Sequence, residues 1–459
     1  MPCIAPRTLV TAAVSALLTL PLLALPAHLR TNVQTRPLGI DTSHPVLSWQ
    51  ESSPCPGWRQ TAYRVRVATT ADLALSDHPD TWDSGRQASA LSVDIPYAGP
   101  VLLARQRYFW TVQVWDDHNQ MTTSRVPRWF EMGLLASSDW SARWIGAPDT
   151  SAATAASLPW IWIANQDALK AAPREAVTFR YALTLAALPS RASLSIATHG
   201  DFTATVNGQR TGLKKDWSAF DNEDLRPHLH VGVNDILIIV TAPALRNGPP
   251  GAPPNPSAPK TVIAGLAALL RLTAADGTTR RVSTADPAWQ AAPAVSNTFA
   301  PAAVVAPLND PRLGTAPGYP AEPATLLRTN FTAANPVTRA RLYVTAAGSY
   351  QMSLNGHRIA ADALTPDFTD YRKRFAYQTY DVTALIARGP NTLGAILGDG
   401  WYASPLLWSG IHAFGTTPRL LAQLELQYAD GTHTTIASTP DWTSSPSAIT
   451  SYHLRRRSL

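Results

Sequence analysis

The chain has 459 residues, enough for two to four domains at about 100–200 residues each. A formal net charge of +6 with only 15% charged residues excludes a charge-dense tail or nucleic-acid-binding arm, and 45% hydrophobic residues exclude wholesale disorder. Two cysteines exclude a disulfide scaffold and an all-cysteine zinc site, while 39 prolines favour short strands joined by turns.

The first predicted element is a secretory signal over residues 1–27. Arg7 supplies its positive end, Leu9 to Leu20 its apolar stretch, and Pro21 breaks the segment before a small residue at Ala24 or Ala27. The competing reading is a membrane anchor, but Thr, Ser and Pro interrupt the run before it reaches about 20 residues. Export predicts a secreted or periplasmic protein with no membrane span once the signal is removed. Cys3 would leave with the signal, and Cys55 would remain as a structural thiol without an activating His or Lys beside it.

Residues 28–146 read as a fibronectin- or immunoglobulin-like β-sandwich. Tyr63-Arg64-Val65-Arg66-Val67 and Tyr108 through Trp115 alternate at the period of a strand with one buried face. Turn clusters at Pro54 to Gly57, Asp83-Ser84-Gly85 and Asp116-Asp117-His118-Asn119 punctuate them. The last cluster is rich in metal-ligand types, but between two strands it predicts a hairpin turn.

Two further stretches repeat each other in order. Val206-Asn207-Gly208 recurs as Leu354-Asn355-Gly356, and Asp224-Leu225 with Gly232-Val233-Asn234 recurs as Asp381-Val382 with Gly389-Pro390-Asn391. Gly265 to Leu270, Asp276-Gly277 and Trp289 recur as Leu420 to Leu424, Asp430-Gly431 and Trp442. Asn-Gly and Asp-Gly between alternating apolar residues are hairpin signals, so each unit is predicted to be a jelly-roll sandwich, over 147–300 and 324–446. Pro/Gly/Ala-rich Asn247 to Lys260 reads as a loop, and the Pro/Ala-rich stretch over 301–323 as a linker.

Several strings are more specific. Pro37-Leu38-Gly39-Ile40-Asp41, Trp82-Asp83-Ser84-Gly85, Tyr108-Phe109-Trp110 and Phe130-Glu131-Met132-Gly133-Leu134-Leu135 lie in the first sandwich. Asp370-Tyr371-Arg372-Lys373-Arg374, Tyr377 through Thr383 and Leu397-Gly398-Asp399-Gly400-Trp401-Tyr402 lie in the second repeat. In this order they resemble the N-terminal half of bacterial α-L-rhamnosidases, from about Leu29 to Trp442. The resemblance implies an all-β region of one fibronectin-like and two galactose-binding-like jelly-roll sandwiches. It also implies that the catalytic carboxylates belong to an α/α barrel that would follow. In the family's inverting mechanism one carboxylic acid protonates the leaving oxygen and another activates water, about 6.5–9.5 Å apart. The resemblance stops after Trp442, and residues 447–459 carry the basic run Arg455-Arg456-Arg457. The expectation is a shortened rhamnosidase lacking its barrel, its intended intramolecular partner; the alternative is a naturally short binding protein.

No catalytic residue is assigned. Glu131, Glu175, Glu223, Asp224, Asp367, Asp370, Asp381 and Asp399 are the carboxyl candidates, nearly all in turn or strand-edge contexts. The resemblance implies a rhamnose-binding role for the first repeat, assisted by calcium in some relatives. Asp201, Asp216, Asp221 and Asn222 are the oxygen donors for such an ion, although His199-Gly200-Asp201 departs from the family's acidic pair. Asp201 and Trp217 are sugar candidates there. In the second repeat, Asp399, Trp401 and Tyr402 either stack on a sugar or pack against the barrel. Arg372-Lys373-Arg374 either forms a solvated edge or meets an acidic polysaccharide. Three functions follow: the inactive N-terminal part of an exported rhamnosidase, a free-standing binder of rhamnose-containing glycans, or an adhesive multi-sandwich protein.

Overall fold

Alternating aromatic and β-branched residues bring Gln60–Ala68 and Arg107–Asp116 together as antiparallel partners, with Val65, Val67, Trp110, Val112 and Val114 buried on one face. The computed structural model describes residues 25–52, 57–148, 153–154, 157–212, 220–245, 260–313, 320, 322–404 and 413–449. Trp82–Asp83, Met121–Thr123 and Arg128–Glu131 complete this sheet. Leu25–Thr31, Val46–Ser52 and Ile95–Pro96 form the facing one. The Trp49 indole donates to Gln60 Oε1 at 3.1 Å and ties the two layers. Leu25 to Ala27, the end of the predicted signal, pair with Ser52 to Gln50; the rest of that signal lies outside the described residues, as does Cys55. The turn predicted at Asp116 forms, its carboxylate accepting the N–H groups of His118 at 2.9 Å and Gln120 at 2.8 Å. That carboxylate serves the backbone.

The two repeats are sandwiches of the same topology. In the middle one, Gly232–Thr241 lies between Asp201–Val206 and Ala176–Leu185, facing a sheet in which Arg191–His199 lies between Asp221–Asp224 and Gly265–Thr273. In the third, Gly389–Gly398 lies between Ser349–Leu354 and Thr325–Ala333, facing Val337–Ala347 between Gln378–Asp381 and Arg419–Tyr428. The equivalence extends to single bonds. Asn207 donates to Asn234 at 2.8 Å and to the carbonyl of His228, as Asn355 donates to Asn391 at 2.8 Å and to the carbonyl of Leu385. The indole of Trp289 donates to the Ser283 carbonyl at 2.9 Å, and that of Trp442 to Ala437 at 3.0 Å. Asp276 and Asp430 each fold back on the N–H two residues on, at 2.9 Å. The repeated motifs are therefore latches and turns.

The stretch over 301–323 is not all connection. Ala303–Ala306 pairs with Trp160–Trp162, and Ala300–Pro301 pairs with Gln290–Pro293 at a sheet edge, where a proline lacking its N–H is tolerated. The middle sandwich thus continues past 300, because short Ala/Val runs that look like low-complexity linker still offer a pleated apolar face.

Although distant in sequence, the first and third sandwiches dock directly. Glu131, fully buried, accepts from Arg341 Nε at 2.6 Å and Arg107 Nη2 at 2.9 Å, with Arg339 at 3.6 Å. Arg105 bridges Asp139 at 3.0 Å and Glu425 at 2.8 Å. The Tyr377 hydroxyl bonds the N–H of Leu134 at 2.9 Å and its carbonyl at 3.1 Å. Position 133 must be glycine for that approach, since a Cβ there would sit 2.0 Å from the Tyr377 oxygen. Ile145 then exchanges both backbone bonds with Leu420 at 2.9 and 2.7 Å before the chain enters the middle sandwich. The middle sandwich is an excursion between two halves of one docked body, meeting the third sandwich through contacts such as Arg191 donating to the carbonyls of Pro446 and Ser447.

Candidate functional site

The third sandwich gathers the predicted residues Trp401 and Tyr402 on the short helix Gly400–Ala403, directly after Asp399. Gly400 makes the seat possible: at φ +50 its Cα lies so near the Gly348–Ser349 backbone that a Cβ would meet those atoms at 2.5 Å. Trp401 packs edge-on to Phe368 at 5.9 Å, and Tyr402 meets Tyr371 at 5.6 Å and Phe375 at 6.4 Å. Phe414 joins Phe368 and Tyr371 at 6.0 and 5.1 Å, and Trp144 joins Phe375 at 5.0 Å. Trp401 and Tyr402 are half-buried within their own sandwich, and the exposed rings are Phe368 at 52% and Trp144 at 38%. The sequence reading named the inner pair and missed the outer pair. The aromatic spacing Phe368, Tyr371, Phe375 was the available signal. Arg372-Lys373-Arg374 lies in a solvated turn, where Arg372 and Lys373 face Asp370 at 3.0 and 3.9 Å.

Beside this helix, the outer face of the five-stranded sheet forms a cleft of about 280 Å³. Pleating sends Tyr350 and Leu397 into the core and turns their neighbours Gln351 and Ile396, which are register partners, outward as its floor. The segment carrying Arg358, Asp362 and Leu364 also lines it, as does Ser404. Arg358 Nη2 donates to the Asp362 carbonyl at 2.6 Å, and the Asp362 carboxylate accepts from the Tyr380 hydroxyl at 3.1 Å. No sequence motif marks this cleft, because its lining comes from five separate stretches of the chain.

In the middle sandwich the predicted donors are split. Asp201 opens Asp201–Val206 in one sheet, while Asn222 lies in the other, where its amide oxygen accepts from the Ser195 hydroxyl. Asp221 shares that second strand, opposite Ile196. Asp216 and Trp217 lie outside the described residues. Among the described residues no three His, Cys, Asp or Glu side chains gather as a metal cage.

Seven of the eight carboxyl candidates, all but Asp399, make bonds within the fold. Glu131 is held by its arginines; Asp224 accepts the N–H of Arg226 at 3.0 Å, and Glu223 that of Gly212 at 2.9 Å. Glu175 accepts the N–H of Ala172 at 3.1 Å, and Asp367 that of Phe368 at 2.7 Å. Burial pushes the Asp381 carboxyl up, but Thr383 and Arg341 hold it below the ordinary carboxylate value. The Asp370 carboxyl is likewise held low by its hydrogen bond from Arg372. Glu51, outside the sequence candidates, is pushed up to about 7 by burial. Its strand, Val46–Ser52, belongs to the first sandwich.

Three β-sandwiches, two of them of the same topology, define a modular β-sandwich region. Residues 335–454 match the α-L-rhamnosidase N-terminal domain, and residues 26–136 match the Rha78A-like, N-terminal immunoglobulin domain. An α-L-rhamnosidase of Streptomyces avermitilis is 39% identical over 442 residues, 91% of this chain and 41% of that protein. One of Formosa agariphila is 37% identical over 115 residues, 25% of this chain and 12% of its own length. The crystal structure of the Streptomyces avermitilis enzyme complexed with L-rhamnose superposes with a TM-score of 0.75 at 36% identity, covering 94% of this chain and 42% of that one. The chain belongs with the N-terminal β-sandwich region of the α-L-rhamnosidase family, and it spans well under half the length of these relatives.

Proposed function

We propose that the chain serves as the non-catalytic region of an exported α-L-rhamnosidase, carrying and orienting a catalytic region that acts on rhamnose-containing glycosides, and that alone it turns over no substrate. The observation supporting this reading is the docked first and third sandwiches, which present one rigid aromatic face with Phe368 and Trp144 exposed. A ring face of that kind gains free energy when covered, at about 25 cal/mol per Å² of apolar surface. The catalytic region is its proposed cover.

The test is an assay with an aryl α-L-rhamnoside on the purified chain, on the catalytic region of the Streptomyces avermitilis relative, and on a fusion of the two. No turnover by the chain, with the fusion outperforming the bare catalytic region in stability or rate, is expected. Turnover by the chain alone, or a fusion indistinguishable from the bare catalytic region, overturns the reading.

A further inference from the structure

We propose that Glu51 is the counter-ion of a processed chain end: cleavage between Ala24 and Leu25 leaves an α-ammonium that pairs with its carboxylate. Three observations carry this. Both carboxylate oxygens of Glu51 are buried and, among the described residues, have no hydrogen-bond partner. No charge compensates them: burial alone pushes this carboxyl up, and Ser53-Pro54-Cys55-Pro56, next in sequence, bring no charged side chain. The strand Leu25–Thr31 starts beside this carboxylate, with Pro26 opposite Glu51 and Leu25 opposite Ser52.

The neighbouring donors are committed or missing. The Trp49 indole is taken by Gln60, and Pro26 has no N–H to give. Hydrolysis of the Ala24–Leu25 peptide bond consumes one water and leaves a carboxylate on Ala24 and an ammonium on Leu25. Cα atoms paired across an antiparallel ladder lie about 4.5–5.5 Å apart. The new ammonium is one residue from the pair Pro26–Glu51, within the reach of a glutamate side chain. An uncleaved chain offers only a neutral amide at that place. The strand also selects the cut, which the sequence left open between Ala24 and Ala27. A cut after Ala27 removes Leu25 to Ala27, the residues paired with Ser52 to Gln50, and uncovers Glu51. A cut after Ala24 keeps the whole strand. Removal of the leader thereby completes the first sandwich, the one that docks on the third. That a cut occurs rests on the export in the proposed function; the unpartnered carboxylate does not.

The test compares the chain beginning at Leu25 with the same chain carrying a short Gly-Ser extension before Leu25. Each is made with Glu51 and as Glu51→Gln. Carboxyl NMR of isotope-labelled glutamate reads the Glu51 titration, and thermal unfolding reads stability. In the extended chain Glu51 should titrate at about 7, and in the chain beginning at Leu25 below its ordinary 4.5. Above the unfolded value, a carboxyl raised by the fold costs stability and a lowered one adds it. At about pH 7, where an α-ammonium is still charged, Glu51→Gln should therefore raise the unfolding temperature of the extended chain. It should lower that of the Leu25 chain, each by about 4 °C or more. Identical titrations in the two chains, or a Glu51→Gln shift of the same sign in both, overturn the pairing. So does His28 as the first residue of the protein processed by a secreting host. A leader retained in that host overturns export instead, and the titration of the Leu25 chain still decides the pairing.

Discussion

The middle and third sandwiches share an Asn–Asn latch, a tryptophan clamp and an Asp-Gly hairpin, residue for residue. Their surroundings differ. The third is bolted to the first sandwich by a buried carboxylate and its arginines, and it bears the short helix with its aromatic cluster. Charges on the middle sandwich, such as Arg180 and Asp235 at 2.7 Å, stay in partial contact with solvent. Duplication preserved what closes a sandwich and left free what the sandwich is attached to.

The largest expected break in this comparison is Glu131→Ala. It takes away the buried carboxylate shared by Arg341, Arg107 and Arg339 and leaves Arg341 only the half-exposed Asp381 at the docking interface, so it should cost about 3 kcal/mol and uncouple the first and third sandwiches. Arg180→Ala in the middle sandwich should cost under about 1 kcal/mol. Denaturant unfolding followed by hydrogen exchange in each sandwich measures both; equal costs would remove the asymmetry.

Next come the latches. Asn234 and Asn391 are buried and bond matching carbonyls, those of His230 and Gly232 and those of Ala387 and Gly389. Alanine at either should cost about 2 kcal/mol, confined by hydrogen exchange to its own sandwich. A silent substitution in one and a costly one in the other would show that the duplicated bond no longer does the same job.

Gly400→Ala sharpens the difference instead. A methyl group 2.5 Å from the Gly348–Ser349 backbone at φ +50 should lift the helix Gly400–Ala403, costing about 1–2 kcal/mol and loosening the contact of Trp401 with Phe368. Tryptophan fluorescence reads that loosening directly. Unchanged emission and melting would mean that the helix is held by its aromatic contacts alone.

The smallest effect is a pH dependence at Asp381. Its folded value lies below the ordinary 3.8, so the stability it contributes is present above that value and is lost as pH falls through the lower folded one. Half-exposed, it should contribute about 0.5 kcal/mol or less. Asp381→Asn should lower stability at neutral pH by that amount and flatten the acid limb. A variant whose acid limb matches the unaltered chain would place the acid sensitivity elsewhere.

Much of this fold was legible because its signals are local. Asn-Gly and Asp-Gly turns, alternating strands such as Tyr63 to Val67, and the repeated order of motifs each follow from backbone stereochemistry within a few residues. The edge strands at 300–306 were not legible, since alanine and proline are read as linker until a partner strand supplies the pairing. Trp401 and Tyr402 were visible as a pair, but their burial depends on Phe368, Tyr371 and Phe375, which arrive by tertiary folding. The cleft was invisible: Gln351, Arg358, Ser404 and Ile396 share no spacing that periodicity could detect.

By itself, then, the sequence determined the all-β class, the duplicated jelly rolls and the turns that close them, because hydrogen-bonding side chains and glycine act over a handful of positions. Only the tertiary structure decided that Glu131 and Arg341, 210 residues apart, would share one buried ion pair. It alone also decided that Ser404 and Arg358 would line one cleft. Those arrangements depend on how sheets pack and which faces they leave open, and no local rule along the chain encodes the distance between two surfaces.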